Sequence, residues 1–230
     1  RDQPRSRGRG DVYKRQVKCG RYKVNNRLPI AAMPVDTPTR RTNNRAQLLL
    51  DAAASLFALK GYASTTVRDI AAAASMTPGA VYVHFPSKCD LLVEVYKEGV
   101  RRVTERIESS TLGIHCPWKI LESALTAHLE AILDRSAYAK VIIRVLPGDV
   151  GRAGPALAAL RDGYESKFRR YVEALPLAPG IDSRLLRLLL LGALNHAPVW
   201  YSDQGEEPTG IAAAAVQLIR GGASSVEQVA

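Results

Sequence analysis

The chain has 230 residues and a formal net charge of +10 at pH 7, with 47% hydrophobic and 23% charged positions. This composition is typical of one large or two modest folded domains, and it excludes a disordered, collagen-like or disulfide-rich chain. Stretches rich in Ala, Leu, Arg and Glu favour helices, and the sequence has no strand-like alternation and no internal repeat. The positive charge, taken alone, indicates an anionic partner, either nucleic acid or a membrane surface.

Most of this charge lies in residues 1–32, which carry ten basic and two acidic side chains, so the rest of the chain has a net charge of only +2. The first methionine is Met33. Residues 11–16 back-translate to GAT GTG TAT AAG AGA CAG, which resembles the end of a transposon adapter used in DNA library preparation. We therefore expect residues 1–38 to be a disordered leader that is largely a sequencing or assembly artefact. The alternative is a natural basic arm that binds DNA phosphates.

A first helix is predicted from the apolar periodicity that begins near Arg45 and places Leu49, Ala53 and Phe57 on one face. Gly61 suits the left-handed conformation of a residue that follows a helix end. The first helix should therefore end just before this glycine.

Caps predict the next three helices. Thr66 with Asp69 three residues later has the pattern of a capping box. Thr77 followed by Pro78 suits the cap and the first residue of a third helix, and Ser87 suits the cap of a long fourth helix. The predicted helices span residues 45–60, 67 to about 75, 78–84, 88 to about 107, 117–134, 137–146, 155–175, 182–201 and 206–220.

Two short helices joined by a tight turn and packed on a first helix form a helix-turn-helix, the arrangement of many DNA-reading domains. The sequence therefore predicts an all-α fold with an N-terminal three-helix helix-turn-helix domain over residues 39–90. A second helical domain is predicted over residues 91–230.

Three motifs follow one another in this first domain: Phe-Ala-Leu-Lys-Gly-Tyr at 57–62, Thr-Thr-Val-Arg-Asp-Ile-Ala at 65–71 and Gly-Ala-Val-Tyr-Val-His-Phe-Pro-Ser-Lys at 79–88. With them, the segment 45–91 resembles the DNA-binding domain of the TetR family of transcriptional regulators. The resemblance implies that the C-terminal half is a helical ligand-binding and dimerisation domain, in which a small molecule releases the protein from its operator.

The third helix would enter the major groove with its N-terminal end leading, which brings small residues closest to the base edges. Tyr82 and His84 suit phosphate oxygens, as the resemblance also implies, and Lys88 lies beside the exposed amides of the fourth helix. The alternatives are that Tyr82 only packs in the core and that His84 is a surface histidine without DNA contact. The predicted DNA-binding residues are Arg45, Thr66, Arg68, Thr77, Pro78, Gly79, Ala80, Tyr82, His84 and Lys88.

The segment departs from the family's pattern at two positions. Ser75 stands where the turn usually has glycine, and we expect a conformational cost there. Pro78 stands where many members carry a basic or polar reader, and the third helix has no Arg or Lys. We therefore expect much of the affinity to come from phosphate contacts and part of the specificity from DNA shape.

The C-terminal half is notable for apolar rather than charged residues, because residues 91–230 contain sixteen basic and sixteen acidic side chains. The run 185–194 is apolar on nearly all sides of a helix, which is more than one packed face needs. We expect this run and the last helix to form a four-helix interface in a homodimer with two-fold symmetry. The alternative is burial within one subunit. The apolar residues of the last helix are Ile211, Ala215, Leu218 and Ile219.

Residues 195–201, Asn-His-Ala-Pro-Val-Trp-Tyr, resemble a segment that ends the eighth helix in TetR-type regulators, among them sensors of acyl-coenzyme A thioesters. The residues at 202–205 depart from that pattern. This resemblance implies a small hydrophobic or acyl-CoA-type effector, and plain core packing is the alternative role of each candidate side chain. The candidate ligand-binding residues are Trp118, Leu125, Tyr138, Ile142, Tyr164, Phe168 and Asn195.

Enzyme chemistry has little support in the sequence. The four histidines are scattered outside any HExxH, GxSxG, P-loop or GxGxxG context, so we expect no enzyme, no metal and no cofactor. Cys116 follows His115, but adjacent residues point apart, and a free thiol is expected there. Cys89 and Cys116 lack CxxC spacing, which indicates reduced thiols. The most apolar segment, 185–193, is too short and too polar to span a bilayer.

We therefore predict a cytoplasmic, homodimeric transcriptional repressor that a small-molecule effector releases from palindromic double-stranded operator DNA. One alternative keeps the DNA-binding domain but makes the protein an activator or a ligand-independent regulator. Another alternative is a helical small-molecule-binding protein without a role on DNA.

Overall fold

The computed structural model of the protein describes residues 40–202 and 204–225, and these ranges contain helices and turns but no strand. The helices are α1 (Arg40–Lys60), α2 (Val67–Ala73), α3 (Pro78–His84), α4 (Lys88–Thr111), α5 (Pro117–Leu133), α6 (Ala137–Arg144), α7 (Gly154–Glu173), α8 (Ser183–Asn195), α9 (Ala197–Trp200) and α10 (Pro208–Ser225). The predicted all-α fold is confirmed. The leader predicted over residues 1–38 lies outside the described residues.

The largest difference from the predicted helices lies near the C terminus. The single helix predicted over residues 182–201 is two helices, α8 and the short α9, which His196 separates. Pro198 has no N–H to donate to the carbonyl oxygen of Leu194, and its ring crowds that turn, so one continuous helix is disfavoured. At the other end, α1 starts earlier than predicted, at Arg40.

The caps predicted for the two short helices are confirmed. The Thr66 hydroxyl accepts a hydrogen bond from the Asp69 N–H at 3.1 Å, and the Asp69 carboxylate accepts one from the Thr66 N–H at 3.0 Å. The Thr77 hydroxyl accepts a hydrogen bond from the Ala80 N–H at 3.3 Å, with Pro78 as the first helical residue. These bonds satisfy backbone groups that the short helices cannot satisfy internally.

Ser75 forms the turn between α2 and α3 in the left-handed conformation, with a φ of 56°. Its N–H donates to the carbonyl oxygen of Ala72 at 3.1 Å, and the N–H of Met76 donates to that of Ala71 at 2.8 Å. This pair of bonds is a Schellman motif, which usually has glycine at the left-handed position. Ser75 is the one non-glycine residue with positive φ in the described chain, so it adopts the left-handed conformation for which a conformational cost is predicted.

Two hydrophobic cores hold the helices together. The first core joins α1, α2, α3 and the start of α4 to α6, and the second joins the end of α4 to α5, α7, α8 and α10. Members of the first core include Leu49, Phe57, Ile70, Val81, Leu92, Tyr138 and Val141. Members of the second include Ile107, Leu125, Leu129, Phe168, Leu191, Ala212 and Val216. Because α4 contributes to both cores, it links the helix-turn-helix to the C-terminal helices.

Candidate DNA-binding surface and ligand cavity

The first turn of α3 is a solvent-facing surface of small side chains. Thr77, Pro78 and Gly79 are exposed and Ala80 is half-buried, whereas Val81 in the next position is buried in the first core. Val81 is the one buried residue of α3, and the Thr77 cap closes the N-terminal end of this helix. The backbone of this turn is therefore accessible to a large partner.

Gly79 has room for a side chain within the protein. A Cβ atom added there would have the Thr77 hydroxyl at 4.0 Å as its nearest neighbour, and Gly79 does not have positive φ. The fold by itself therefore does not need glycine at this position. A requirement for glycine would come from a partner that approaches the backbone closely.

The second half of α3 also presents candidate contact residues. Tyr82 is 53% exposed, and its hydroxyl makes no hydrogen bond to the rest of the described chain. His84 is half-buried beside the ring of Phe85, with 6.3 Å between ring centres. Phe85 itself belongs to the first core. Tyr82 is therefore exposed and has the hydroxyl that a phosphate contact needs, whereas Phe85 is buried and has no hydroxyl.

The predicted flanking residues lie on the surface of α1 and α2. Arg45 and Arg68 are exposed, and Thr66 is exposed at the cap of α2. Exposed guanidinium groups beside a helix-turn-helix can bind the phosphates on either side of the groove.

Lys88 differs from the other predicted DNA contacts because its ammonium group is occupied within the protein. Its Nζ donates hydrogen bonds to the carbonyl oxygens of Tyr62 and Thr65, each at 2.9 Å, and to that of Ala63 at 3.4 Å. The Nζ atom also lies 4.4 Å from the centre of the Tyr62 ring. All three ammonium protons therefore hold the turn between α1 and α2, and a phosphate contact by Lys88 stays a prediction. The predicted cap Ser87 is confirmed just before it.

A cavity of about 110 Å³ lies among α4, α5, α6, α7 and α8. Its walls are mostly apolar, with a few polar groups from α4, α5, α7 and α8. Predicted ligand-binding residues that line it are Ile142, Tyr164 and Asn195. Apolar cavities of roughly 150 Å³ bind ligands of the size of benzene, so this somewhat smaller cavity suits a short acyl group or at most a single ring.

The other candidate ligand-binding residues do not line this cavity. Leu125 and Phe168 are fully buried in the second core. Trp118 packs at the start of α5, where the Arg220 guanidinium lies 5.5 Å from the centre of its ring. Tyr138 faces α1 instead, since its hydroxyl donates to the Asp51 carboxylate at 2.8 Å.

His128 and Tyr96 line the cavity, although the sequence analysis did not select them. His128 is buried, its Nδ1 forms a short hydrogen bond with the Tyr164 hydroxyl, and its Nε2 makes none. Burial lowers the pKa of His128 to about 4, against an opposing effect of the Asn195 side chain. The Tyr96 hydroxyl is also buried without a hydrogen bond. Burial raises the pKa of Tyr96, and the nearby Arg161 opposes that shift.

The apolar run of α8 is only partly buried within the subunit: several of its leucines are exposed, and its arginine is buried. Arg187, in the middle of the run, is only 6% exposed and pairs with the Glu165 carboxylate of α7 at 2.8 Å. Leu185, Leu188 and Leu189 are 54%, 44% and 74% exposed. The surplus apolar surface predicted for α8 is therefore real, and it faces outward.

Several classes of site are not seen in the described residues. No group of three or more metal-ligating side chains occurs among them, and Cys89 and Cys116 form no disulfide. No helix in the same part of the chain has the length and the hydropathy needed to cross a membrane.

The fold and the exposed, capped α3 define a helix-turn-helix protein with a helical C-terminal half. Residues 49–95 match the family described as "Bacterial regulatory proteins, tetR family", and residues 117–223 match "Tetracyclin repressor-like, C-terminal domain". An uncharacterized HTH-type transcriptional regulator of Mycobacterium bovis is 30% identical over 162 residues, which are 69% of this chain and 72% of that protein. The chain belongs to the TetR family of transcriptional regulators, so the family predicted from its motifs is confirmed.

Other similar proteins cover this chain to different extents. The HTH-type transcriptional repressor KstR2 of Mycolicibacterium smegmatis is 35% identical over 111 residues, 48% of this chain, and the match spans only about half (53%) of that repressor. The superantigen PfiT is 27% identical with a TM-score of 0.68, over 80% of this chain and 98% of that one. AibR, solved with isovaleryl coenzyme A and operator DNA, is 21% identical with a TM-score of 0.64, over 76% and 97% of the two chains. The family and these regulatory relatives are regulators rather than enzymes.

Proposed function

We propose that this protein is a homodimeric repressor that binds a palindromic operator through α3 and leaves it when a small hydrophobic or acyl-CoA-type ligand enters the cavity. The observation that carries the proposal is the position of α6. One side of α6 lines the cavity with Ile142 and Ile143, and another contacts α1 through Tyr138. The helix thus joins the ligand site to the helix-turn-helix.

The DNA-binding part of the proposal depends on the surface of α3. Its small first-turn residues allow the backbone to approach base edges, and Tyr82 presents an exposed hydroxyl. Because α3 has no Arg or Lys, affinity must come from contacts around it, for which Arg45 and Arg68 are exposed. A palindromic operator requires two copies of α3, about 34–36 Å apart.

The dimer is supported by the outward-facing leucines of α8 together with Leu218 of α10, which is 78% exposed. Exposed apolar side chains that are grouped on a surface are typical of a protein–protein interface. Two copies of α8 and α10 would form a four-helix interface about a two-fold axis.

The ligand class is supported by a second, more polar pocket beside the cavity. This pocket of about 320 Å³ shares Ile132 and Ile143 with the cavity, so these two side chains form the partition between them. Its lining includes the basic residues Arg135, Lys140 and Arg144. A short acyl group in the cavity and phosphates in the basic pocket would suit an acyl-CoA-type ligand. AibR, which shares the fold, was solved with such a molecule.

Coupling between the two sites follows from how α6 packs. The Arg144 guanidinium donates to the carbonyl oxygen of Ala58 in α1 at 3.2 Å, in addition to the Tyr138–Asp51 hydrogen bond. On the other side, α4 approaches α6 so closely that a Cβ atom on Gly99 would lie 2.6 Å from the Ile142 Cδ1. A ligand that displaces α6 would therefore move α1 and α4. Typical coupling energies of about 1–3 kcal/mol lower operator affinity roughly 5–150-fold.

The test is a gel-shift assay with the DNA that flanks the gene of this protein. We expect a shift at low salt that Tyr82→Phe weakens, because the variant loses a hydrogen bond to phosphate, and that short-chain acyl-CoA esters reverse. Tyr171→Phe on α7 removes a tyrosine hydroxyl far along the chain from α3 and should leave the shift unchanged. No shift with any flanking segment would refute the regulator, and a shift insensitive to all esters would refute the effector class. Lys88→Ala is a poorer probe because it also removes the bonds that hold the turn at Tyr62.

A further inference from the structure

The cavity contains two buried polar atoms that lack a partner. The Tyr96 hydroxyl and the His128 Nε2 make no hydrogen bond of normal geometry, although the Arg161 side chain lies near Tyr96 and the Asn195 side chain lies near His128. Both Tyr96 and His128 are at least 97% buried and line the cavity. Nearly all buried polar groups in proteins are hydrogen-bonded, since an unpaired one costs free energy comparable to a lost hydrogen bond. Two such atoms in the wall of one cavity indicate that a molecule within the cavity binds them.

The hydrogen-bond pattern defines which of these atoms donate. If the Tyr164 hydroxyl donates to His128 Nδ1, the ring carries its proton on Nε2, and only that N–H lacks a partner in the pair. If instead Nδ1 donates to Tyr164, both the Tyr164 proton and the Nε2 lone pair lack a partner. The first arrangement leaves fewer unsatisfied groups, so His128 offers an N–H and Tyr96 offers an O–H to the cavity.

The two donors are themselves uncharged, which favours an uncharged acceptor. Burial keeps His128 neutral above its lowered pKa. Of the two charged residues in the lining, Glu165 is paired with Arg187 at 2.8 Å, so Arg161 is the group that an anionic ligand would need. An ionised ligand group loses its hydration on entering the cavity, whereas a carbonyl oxygen needs only the two uncharged donors.

Building on the proposed effector site, we propose that the part of the effector inside the cavity carries an uncharged carbonyl oxygen, which accepts hydrogen bonds from the Tyr96 hydroxyl and the His128 Nε2–H. The effector class thereby narrows from a hydrophobic molecule to a ketone, ester or thioester. Tyr96 and His128 are the residues that select this group.

The test compares two probes of the same ring size, cyclohexanone and methylenecyclohexane, titrated into the full chain without DNA. A purely apolar cavity binds the hydrocarbon more tightly, because the ketone loses its hydration. We expect the reverse order, with cyclohexanone at least about tenfold tighter, which corresponds to about 1.4 kcal/mol. Binding of cyclohexanone should also shift the Nε2 nitrogen signal of His128 in an NMR spectrum, as a new hydrogen bond does.

Tyr96→Phe is the decisive variant. Because the Tyr96 hydroxyl has no partner in the free protein, its removal should leave the thermal melt unchanged and abolish most of the preference for the ketone. Tyr138→Phe is the matched control, since it removes a buried tyrosine hydroxyl that is bonded to Asp51 outside the cavity. The control should keep the preference for the ketone and lose stability.

Each other outcome has a defined meaning. Tighter binding of methylenecyclohexane, or a ketone preference that survives in Tyr96→Phe, would overturn the carbonyl inference and leave the effector site intact. Tighter binding of cyclohexanecarboxylate than of cyclohexanone would overturn it in favour of an anionic group recognised by Arg161. If none of the three probes binds, the cavity is not an effector site, and the effector part of the proposed function fails together with the inference.

Discussion

The first turn of α3 and the middle of α8 place polar and apolar groups in opposite ways. Around α3, the apolar Val81 is buried and the polar Thr77 and Tyr82 face outward. Around α8, Arg187 is buried and leucines such as Leu189 face outward. The first distribution is ordinary for a monomer in water. In the second, Arg187 is paired with Glu165 inside the subunit, and the exposed leucines form the surface that we propose a second subunit covers.

The strongest test of the comparison changes the outward leucines. Leu189→Glu should convert the dimer to monomers and lower operator affinity by at least about a hundredfold, because the interface would bury an unpaired carboxylate. Leu189 is 74% exposed in one subunit, so the subunit should still fold. Leu112→Glu is the matched control, since Leu112 is 84% exposed after α4 and outside α8 and α10. A sedimentation mass that stays dimeric in Leu189→Glu would contradict the assignment of this face.

The next test concerns the inward polar groups. Burial lowers the pKa of His128 from 6.5 to about 4, so between these values the unfolded chain binds a proton that the folded chain does not. Stability should therefore fall as the pH drops through this window, by about 2–3 kcal/mol at pH 4.5 relative to pH 7. Urea unfolding at both pH values measures the loss.

The variant His128→Gln should lose less stability than the wild type between pH 7 and pH 4.5. The control His115→Gln, which changes an exposed histidine, should lose as much as the wild type. A hydrogen bond from Arg101 lowers the pKa of Glu98 to about 2, so Glu98 also makes stability fall at low pH. This effect is the same in the wild type and in both variants, and it therefore cancels when they are compared. Equal pH dependence in wild type and His128→Gln would show that His128 is not buried in neutral form.

A smaller effect is expected at the outward surface of α3. Gly79→Ala should leave the protein as stable as before or raise its stability by up to about 1 kcal/mol, since the site has room and alanine favours helix. Operator affinity should nevertheless fall about tenfold, since the added methyl group keeps the backbone from the groove. The two measurements are a thermal melt and a DNA titration. Unchanged affinity would mean that the first turn of α3 does not approach the bases closely.

The smallest effect is expected at the turn between the two short helices. Ser75→Gly should raise the free energy of unfolding by about 1 kcal/mol or less, because glycine adopts the left-handed conformation without strain but loses more entropy on folding. Ser55→Gly, in the middle of α1, should lower stability instead. A melt in which both variants are destabilised would mean that the left-handed conformation of Ser75 carries no cost.

The helix-turn-helix was largely predictable because its signals are local. Thr66 with Asp69, and Thr77 with Pro78, lie within a few residues of the backbone groups that they cap, and the observed hydrogen bonds match the predicted ones. The strain at Ser75 was predictable for the same reason, since a left-handed turn depends on the residue that occupies it.

The cavity was only partly predictable because it is assembled from distant segments. Ile142, Tyr164 and Asn195 were selected as apolar or amide residues of the C-terminal helices, and they line it. Tyr96 and His128 occupy positions of the apolar face of their helices, so the pattern does not distinguish them from core residues. The prediction of one continuous helix over 182–201 is wrong for a different reason, since Pro198 interrupts the helix within a strongly apolar pattern.

By itself, the sequence determined the family, the all-α fold, the caps of α2 and α3, and an excess of apolar surface on α8. These properties depend on residue types at short, regular spacings, which are visible without coordinates. Only the tertiary structure decided that Lys88 holds the turn at Tyr62, that Arg187 faces inward, and that the Tyr96 hydroxyl and the His128 Nε2 lie unpaired in one cavity wall. Such roles depend on which groups meet across helices, and the meeting of residues far apart in the chain is set by packing.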